Sequence, residues 1–301
     1  MECTDTCQLP SAESFVQGLT TVQPCACMLD AYQCRHASDI EDHEPLTVAT
    51  PADKIDIIKS TSADVTDYEL FLGALQYSDE EREAIEVATR GQSKNKNWHA
   101  MRQYLLTASV AKKLCCSTNC ANTAALLVKG TSLAEEHLPA PIVFGRKYEG
   151  RALDALLKAH RYNHRKCSMQ IPGLVIRNER NSPFLACSPD GIVSCDTCGD
   201  FLVEVKCLWK FRNMHPAPAG VLSGIVSKDE HDTISVVPTH QYYYQVQMQM
   251  GVTGIHKCYL VLYTHKGIRP VAVPFDSCMW LNMLAYLCDF YKKYMFPLVM
   301  K

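Results

Sequence analysis

Nowhere in the 301 residues does an apolar run approach the ~18 residues of a membrane-spanning helix, which excludes a helical span. The opening residues, Met1-Glu-Cys-Thr-Asp5, contain no basic stretch followed by an apolar one, so no secretory leader is expected and the expectation is an intracellular chain with no membrane partner. No internal repeat is found. Basic residues are also scarce at one end. Residues 1–90 hold 5 Lys+Arg against 18 Asp+Glu, a net charge of −13, so that segment is not the one expected to bind a polyanion.

The remainder reverses the balance. Residues 91–301 hold 25 basic against 14 acidic residues, a net charge of +11, and such asymmetry suggests a polyanion-binding domain beside an acidic segment. The hydrophobic fraction of 47% and the length suit a globular chain with ample core. The 16 cysteines, without a leader, read as reduced thiols and metal ligands rather than as a disulfide framework.

Along the chain, residues 1 to about 24 and 38 to 66 read as linker or weakly ordered sequence. Ser78-Asp-Glu-Glu81 predicts a capped helix through Val87. A second helical segment is expected from Trp98 to Leu114, and a third from Phe144 to Leu157, carrying Glu149. Short strands are expected at 174–177 and 184–187, followed by a hairpin. Residues 211–238 read as a Pro- and Gly-containing loop. Thr239 to Met250 predicts a helix with Tyr242, Gln245 and Gln249 on one face. Strands at 257–263 and 268–275 flank a Lys266-Gly267 turn, and a helix closes the chain from about 277 to 295. Helices, then a mixed strand set, then a covering helix indicate an α/β (α+β) core with a mixed central sheet flanked by helices.

One stretch concentrates chemistry. Ser188-Pro-Asp-Gly191 precedes the apolar Ile192-Val193, a turn at Cys195–Asp200, and then Phe201-Leu-Val-Glu-Val-Lys-Cys207. In a strand Glu204 and Lys206 share one face while Val203 and Val205 share the other. The turn folds Asp190 back toward Glu204. Two carboxylates beside a lysine suit phosphodiester hydrolysis: oxygen donors hold a hard divalent cation, and the lysine serves the attacking water. A lone Glu-x-Lys is more often a solvated strand pair. The other segments decide.

In order, Trp98-His-Ala-Met-Arg102, Leu106-Thr-Ala-Ser109, Phe144-Gly-Arg-Lys-Tyr-Glu149, Ala186-Cys-Ser-Pro-Asp-Gly191, Leu202-Val-Glu-Val-Lys-Cys207 and Tyr244-Gln-Val-Gln247 resemble the lambda-exonuclease or YqaJ-type viral recombinase branch of the PD-(D/E)xK nucleases. The likeness covers about residues 80–295. It implies a restriction-endonuclease-like core and a Mg²⁺- or Mn²⁺-dependent deoxyribonuclease acting 5′-to-3′ on linear duplex DNA with free 5′ ends. It also implies a ring-shaped homotrimer. By the same resemblance Asp190, Glu204 and the Val205 carbonyl are metal ligands, Lys206 activates water, Glu149 is a nearby carboxylate, and Gln245 supports Lys206 or the water. Arg102, Ser109 and Ser188 would line a pocket for a 5′-terminal phosphate. A proline often follows the Lys-Cys pair in this family where Leu208 stands here, and many relatives carry a base where Leu105 stands. Arg146, Lys147, Arg151, Arg161, Arg165 and Lys166 are candidate backbone contacts instead.

Two cysteine patterns remain. Cys25-Ala-Cys27 and Cys34-Arg-His36 match a SWIM-type zinc pattern, an N-terminal structural Zn²⁺ site. Cys195-x-x-Cys198 has zinc-knuckle spacing, a weak half-motif, with Cys187 and Cys207 in the flanking strands as partners or else as small buried hydrophobes. The expected division is an acidic, Cys-rich region 1–75 and a nuclease domain 76–301. A finger joined to such a nuclease looks like a mobile-element derivative and makes a nuclear site the expectation. Other readings are a nucleic-acid-binding adaptor with a retained but weakly active nuclease fold, and a zinc-dependent protein-interaction module.

Overall fold

A computed structural model describes residues 46–61, 67–130 and 138–301. The SWIM-like residues Cys25, Cys27, Cys34 and His36 lie outside the described residues. The helices are α1 (Pro51–Thr61), α2 (Tyr68–Ala74), α3 (Asp79–Ala88), α4 (Lys96–Met101), α5 (Ala111–Cys115), α6 (Cys120–Lys129), α7 (Ala140–Asn163), α8 (Pro216–Leu222), α9 (Gln241–Thr253), α10 (Ser277–Phe290) and α11 (Phe296–Val299). The strands are β1 (Leu106–Thr107), β2 (Cys167–Gln170), β3 (Val175–Ile176), β4 (Leu185–Cys187), β5 (Gly191–Cys195), β6 (Phe201–Cys207), β7 (Val226–Lys228), β8 (Ile234–Val236), β9 (Lys257–Thr264) and β10 (Gly267–Pro274).

The central sheet runs β10-β9-β6-β5-β2 and is mixed, as expected: β6 lies parallel to β9, and every other pair is antiparallel. Both faces of its middle are buried. Phe201, Val203 and Val205 of β6 pack with Leu153 and Leu156 of α7, whereas Leu202 packs with Val246 and Met250 of α9. This is the period-two alternation of a strand covered on both sides. A helical lobe closes the molecule around the small sheet β1-β4-β3, with Phe71, Phe184 and Tyr291 fully buried in its core.

Ser78 caps α3 in a reciprocal capping box with Glu81, as its sequence implies. Three expectations require correction. Residues 51–61, read as linker, form α1 because Ile55 and Ile58 recur at helical spacing and bury in the lobe core. The helix expected over 98–114 is interrupted, since Leu106–Thr107 pair in parallel with Leu185–Ala186 and Tyr104 takes a left-handed φ of 66°. Tertiary pairing there overrides helical periodicity. Residues 211–238 are ordered rather than an open loop. They form α8, started by Pro216 at its first turn, and the β7–β8 hairpin. Gly220 permits this packing, because a Cβ at that position would lie 2.4 Å from Leu262 Cδ1.

Candidate metal and nucleic-acid site

The ladder between β5 and β6 ends at Gly191↔Val203, while β6 continues beside β9 as far as Cys207. The edge of β6 beyond Val203 is taken up by the Ser188–Asp190 loop. Asp190 Oδ2 accepts the Val205 N–H at 2.7 Å, replacing the ladder bond that β5 no longer supplies. Gln92 fixes the loop, its Nε2 donating to the Pro189 carbonyl at 2.9 Å and to that of Pro172 at 3.0 Å.

Glu204 and Lys206 share the α9 side of β6, as alternation requires. Glu204 is 2% exposed and accepts three hydrogen bonds. Oε1 takes Lys206 Nζ at 2.6 Å and Gln245 Nε2 at 2.6 Å, and Oε2 takes Gln249 Nε2 at 2.6 Å. Gln245 and Gln249 are one helical turn apart on α9, so one face of that helix aims both amides at the carboxylate. Gln245 therefore meets Glu204, where the expectation was Lys206 or a water. Lys206 Nζ also lies 4.4 Å from the centre of the Tyr242 ring, a cation–π contact from the same helix.

The electrostatics set several carboxylates against one amine. Burial, Glu204 and Glu149 together hold Asp190 well above the usual carboxylate range, although Lys206 and the Val205 N–H oppose them. Glu149, on α7, is raised first by burial and then by Glu204, with Lys206 and Lys94 working against it. For Lys206 burial favours the neutral form, but Glu204 and Asp190 outweigh it and the amine is held above its ordinary value. Three carboxylates thus converge on one lysine. A hard divalent cation fits this oxygen-rich, negatively unbalanced donor set.

Beside it lies a second cluster. Trp98 Nε1–H donates to Ser188 Oγ at 2.8 Å, and the Arg102 guanidinium stacks on the Trp98 ring at 3.9 Å. Arg102 Nη2 donates to Thr107 Oγ1 at 3.1 Å, which lies 3.3 Å from Ser109 Oγ. Arg102, Ser109 and Ser188 are thereby joined through Trp98 and Thr107, to which the sequence reading gave no role. Burial lowers Arg102 to about 10, and among the described residues no carboxylate pairs with it. Further along, Lys112, Lys113 and His240 line an open cleft of about 560 Å³.

The six basic residues singled out on and after α7 separate. Arg146, Lys147 and Arg151 flank Glu149, with Lys147 and Arg151 each directed at the Tyr148 ring. Arg161, Arg165 and Lys166 lie at the far end, where Lys166 meets Asp196 at 3.6 Å. Leu105 is 6% exposed in the lobe core. Cys187 and Cys207 do not join Cys195 and Cys198. Cys187 is a buried hydrophobe, 1% exposed, and the Cys207 thiol faces the Gly145 carbonyl at 3.9 Å. His160 and His164, absent from the sequence reading, stand in their place. Among the described residues no helix is long and apolar enough to cross a membrane.

Comparison with known proteins agrees with this architecture. The family model described as a YqaJ-like viral recombinase domain matches residues 97–256, over half of the chain. Among curated proteins no relative matches. The alkaline exonuclease LHK-Exo of Laribacter hongkongensis superposes with a TM-score of 0.50 at 20% identity, covering 68% of this chain and 94% of the other. LHK-Exo in complex with dAMP gives 0.51 at 19% identity over the same shares. These likenesses establish a shared fold. The shutoff and exonuclease protein of Kaposi's sarcoma-associated herpesvirus gives 0.47 at 12% identity, covering 95% of this chain and 96% of that one.

Proposed function

The chain belongs to the YqaJ-like viral recombinase family, and on that premise we propose that it is a Mg²⁺- or Mn²⁺-dependent deoxyribonuclease that degrades linear duplex DNA from 5′ ends. The observation that supports this most is the convergence of Glu149, Asp190, Glu204 and Lys206 where β6 loses its β5 partner, next to the Arg102 cluster. Asp190, Glu204 and the Val205 carbonyl would hold the cation. The chemistry such an ion supplies when bound is polarisation of the scissile phosphate and activation of a water.

The chain's own residues do the rest. Gln245 and Gln249 orient Glu204, leaving Oε1 shared between Gln245 and Lys206. Lys206 carries its proton at Nζ and would hold the attacking water and the developing phosphate charge. Glu149 would add a further carboxylate beside Glu204. Arg102, with Ser188 and Ser109, would grip a terminal phosphate, since a planar guanidinium pairs bidentately with phosphate oxygens. Ser188 and Asp190 are two residues apart, at most about 7 Å of extended chain. DNA rises 3.4 Å per nucleotide on each strand. A 5′-phosphate held at Arg102 would therefore present a bond one or two nucleotides inward to the carboxylates.

Arg146, Lys147, Arg151 and the Lys112–Lys113 cleft offer sequence-independent backbone contacts. Nuclear action and assembly into a ring-shaped trimer extend the proposal. Incubation of linear, 5′-phosphorylated duplex with Mg²⁺ beside a closed circle tests it. Loss of the linear form alone, abolished by Lys206→Ala, is expected. Retained DNA binding with no digestion in Mg²⁺ or Mn²⁺ would refute the nuclease and favour an adaptor.

A further inference from the structure

A second constellation lies at the far end of α7, where His160 and His164 meet the turn between β5 and β6. We propose that His160, His164, Cys195 and Cys198 form a tetrahedral binding site for a structural zinc ion that fastens α7 to the β5–β6 hairpin.

The four side chains gather the donors of an S₂N₂ shell. His160 lies in the last turn of α7 and His164 is its C-cap, its N–H donating to the His160 carbonyl at 3.1 Å, which brings the two rings together, stacked at 4.1 Å between centroids and 12° between planes. Cys195 ends β5, and Cys198 follows in the turn that Gly199 closes at φ 73°. The Cys198 sulfur lies 3.4 Å from His160 Nε2, and the Cys195 sulfur lies 3.6 Å from His164 Nδ1. All four ligand atoms fall within 4.8 Å of one another. With Zn–N and Zn–S bonds of about 2.0–2.3 Å, the edges of a tetrahedral shell are roughly 3.3–3.8 Å. Both nitrogen–sulfur separations fall within that range.

Burial and charge select the same ion. His160 is 3%, His164 9% and Cys195 5% exposed. Two thiolates and two neutral imidazoles around Zn²⁺ make an assembly of zero net charge, the form least costly to bury. Soft sulfur with imidazole in tetrahedral array favours zinc over Mg²⁺ or Ca²⁺. Surrounding groups hold the ligands in place: Lys257 Nζ donates to the Cys198 carbonyl at 2.6 Å, and Phe201 packs its ring against His160 at 5.0 Å. No ligand position is left for substrate, and Glu149 is eleven residues away, about 16 Å along α7. The role is therefore structural. The ion would join the helix that carries Glu149 to the hairpin whose two strands follow Asp190 and carry Glu204 and Lys206.

One competing use of these thiols is visible. Cys167 faces Cys195 across the β2–β5 ladder, with its sulfur 3.2 Å away, so oxidation would link that pair instead.

The test uses the full chain, purified without chelator under reducing conditions, with zinc counted by atomic absorption. The Cys195→Ser/Cys198→Ser chain should hold one zinc fewer per molecule than the unaltered chain. Any zinc held by Cys25, Cys27, Cys34 and His36 cancels in that difference. It should also unfold at a lower temperature. Equal zinc content in the two proteins would overturn the proposal, as would a Cys167–Cys195 disulfide in the mass spectrum of the freshly purified, unaltered chain. Should the double variant fail to fold, His160→Cys keeps four ligands and adds a thiolate. In the Co²⁺-loaded protein it should retain the metal and gain sulfur-to-cobalt absorption in the near ultraviolet, and an unchanged spectrum would overturn the assignment.

Discussion

Replacing Arg102 tests the link between the phosphate cluster and the direction of digestion. Its guanidinium spends one N–H on Thr107 Oγ1 and one face on the Trp98 ring, leaving the other donors for an anion. A charge-assisted hydrogen bond contributes about 1.5–3 kcal/mol, and about 1.4 kcal/mol is a factor of ten at 25 °C. Arg102→Ala should therefore lower kcat/KM on 5′-phosphorylated duplex by roughly 10- to 150-fold for each bond lost. A twin duplex with a 5′-hydroxyl, which never engaged the pocket, should change little. Arg102→Lys keeps the charge but loses the planar fork and the stacking, so it should fall between the two. The assay is the initial rate of nucleotide release from both duplexes at fixed salt and Mg²⁺, with thermal unfolding run alongside to confirm that each variant is folded. An equal loss on both substrates, or wild-type protein that digests both at one rate, would refute the pocket.

Other outcomes follow from the same geometry. Glu204→Ala strands Lys206, Gln245 and Gln249 at once. Removing one partner of a mostly buried pair should cost about 2–4 kcal/mol, read as a lowered denaturation midpoint. The raised Asp190 and Glu149 give a pH dependence of definite sign. Their folded-state pKa values lie above the unfolded ones, so the metal-free fold binds more protons than the unfolded chain and loses stability as pH rises through the raised values. Mg²⁺ should offset that loss, so the shift in Tm on adding Mg²⁺ should grow with pH, and a shift independent of pH would contradict it. Lys147→Ala/Arg151→Ala should weaken duplex binding about equally across sequences and flatten the dependence on log salt by roughly one to two in slope.

The mixed sheet flanked by helices was legible in the sequence, and so was the relative placement of Glu204 and Lys206, the latter for local reasons. Glu204 and Lys206 fall on one face of β6 because a strand alternates, whatever surrounds it. The capping box at Ser78 and the Gly267 turn are likewise written in a few adjacent residues. What failed depends on distant partners. Leu106–Thr107 looks helical until Leu185–Ala186 arrives beside it. Residues 211–238 look like a loop because the apolar surface of β9 and β10 that orders them lies outside that stretch. Cys187 and Cys207 are not the partners of Cys195 and Cys198, although their spacing in the sequence suggests it. His160-x-x-x-His164 was the available signal, since the residue that caps a helix still falls beside the one four positions before it.

The central claim is that Asp190, Glu204 and Lys206 form a cation-dependent hydrolytic centre. Asp190→Asn tests it most directly, because the amide oxygen can still accept the Val205 N–H while the charge that would help hold the cation is removed. Digestion of linear, 5′-phosphorylated duplex in saturating Mg²⁺ should fall by at least about 10²–10³-fold, with the unfolding temperature maintained or raised as repulsion from Glu204 and Glu149 is relieved. A variant that digests the duplex at the wild-type rate, with an unchanged Mg²⁺ requirement, would contradict the account.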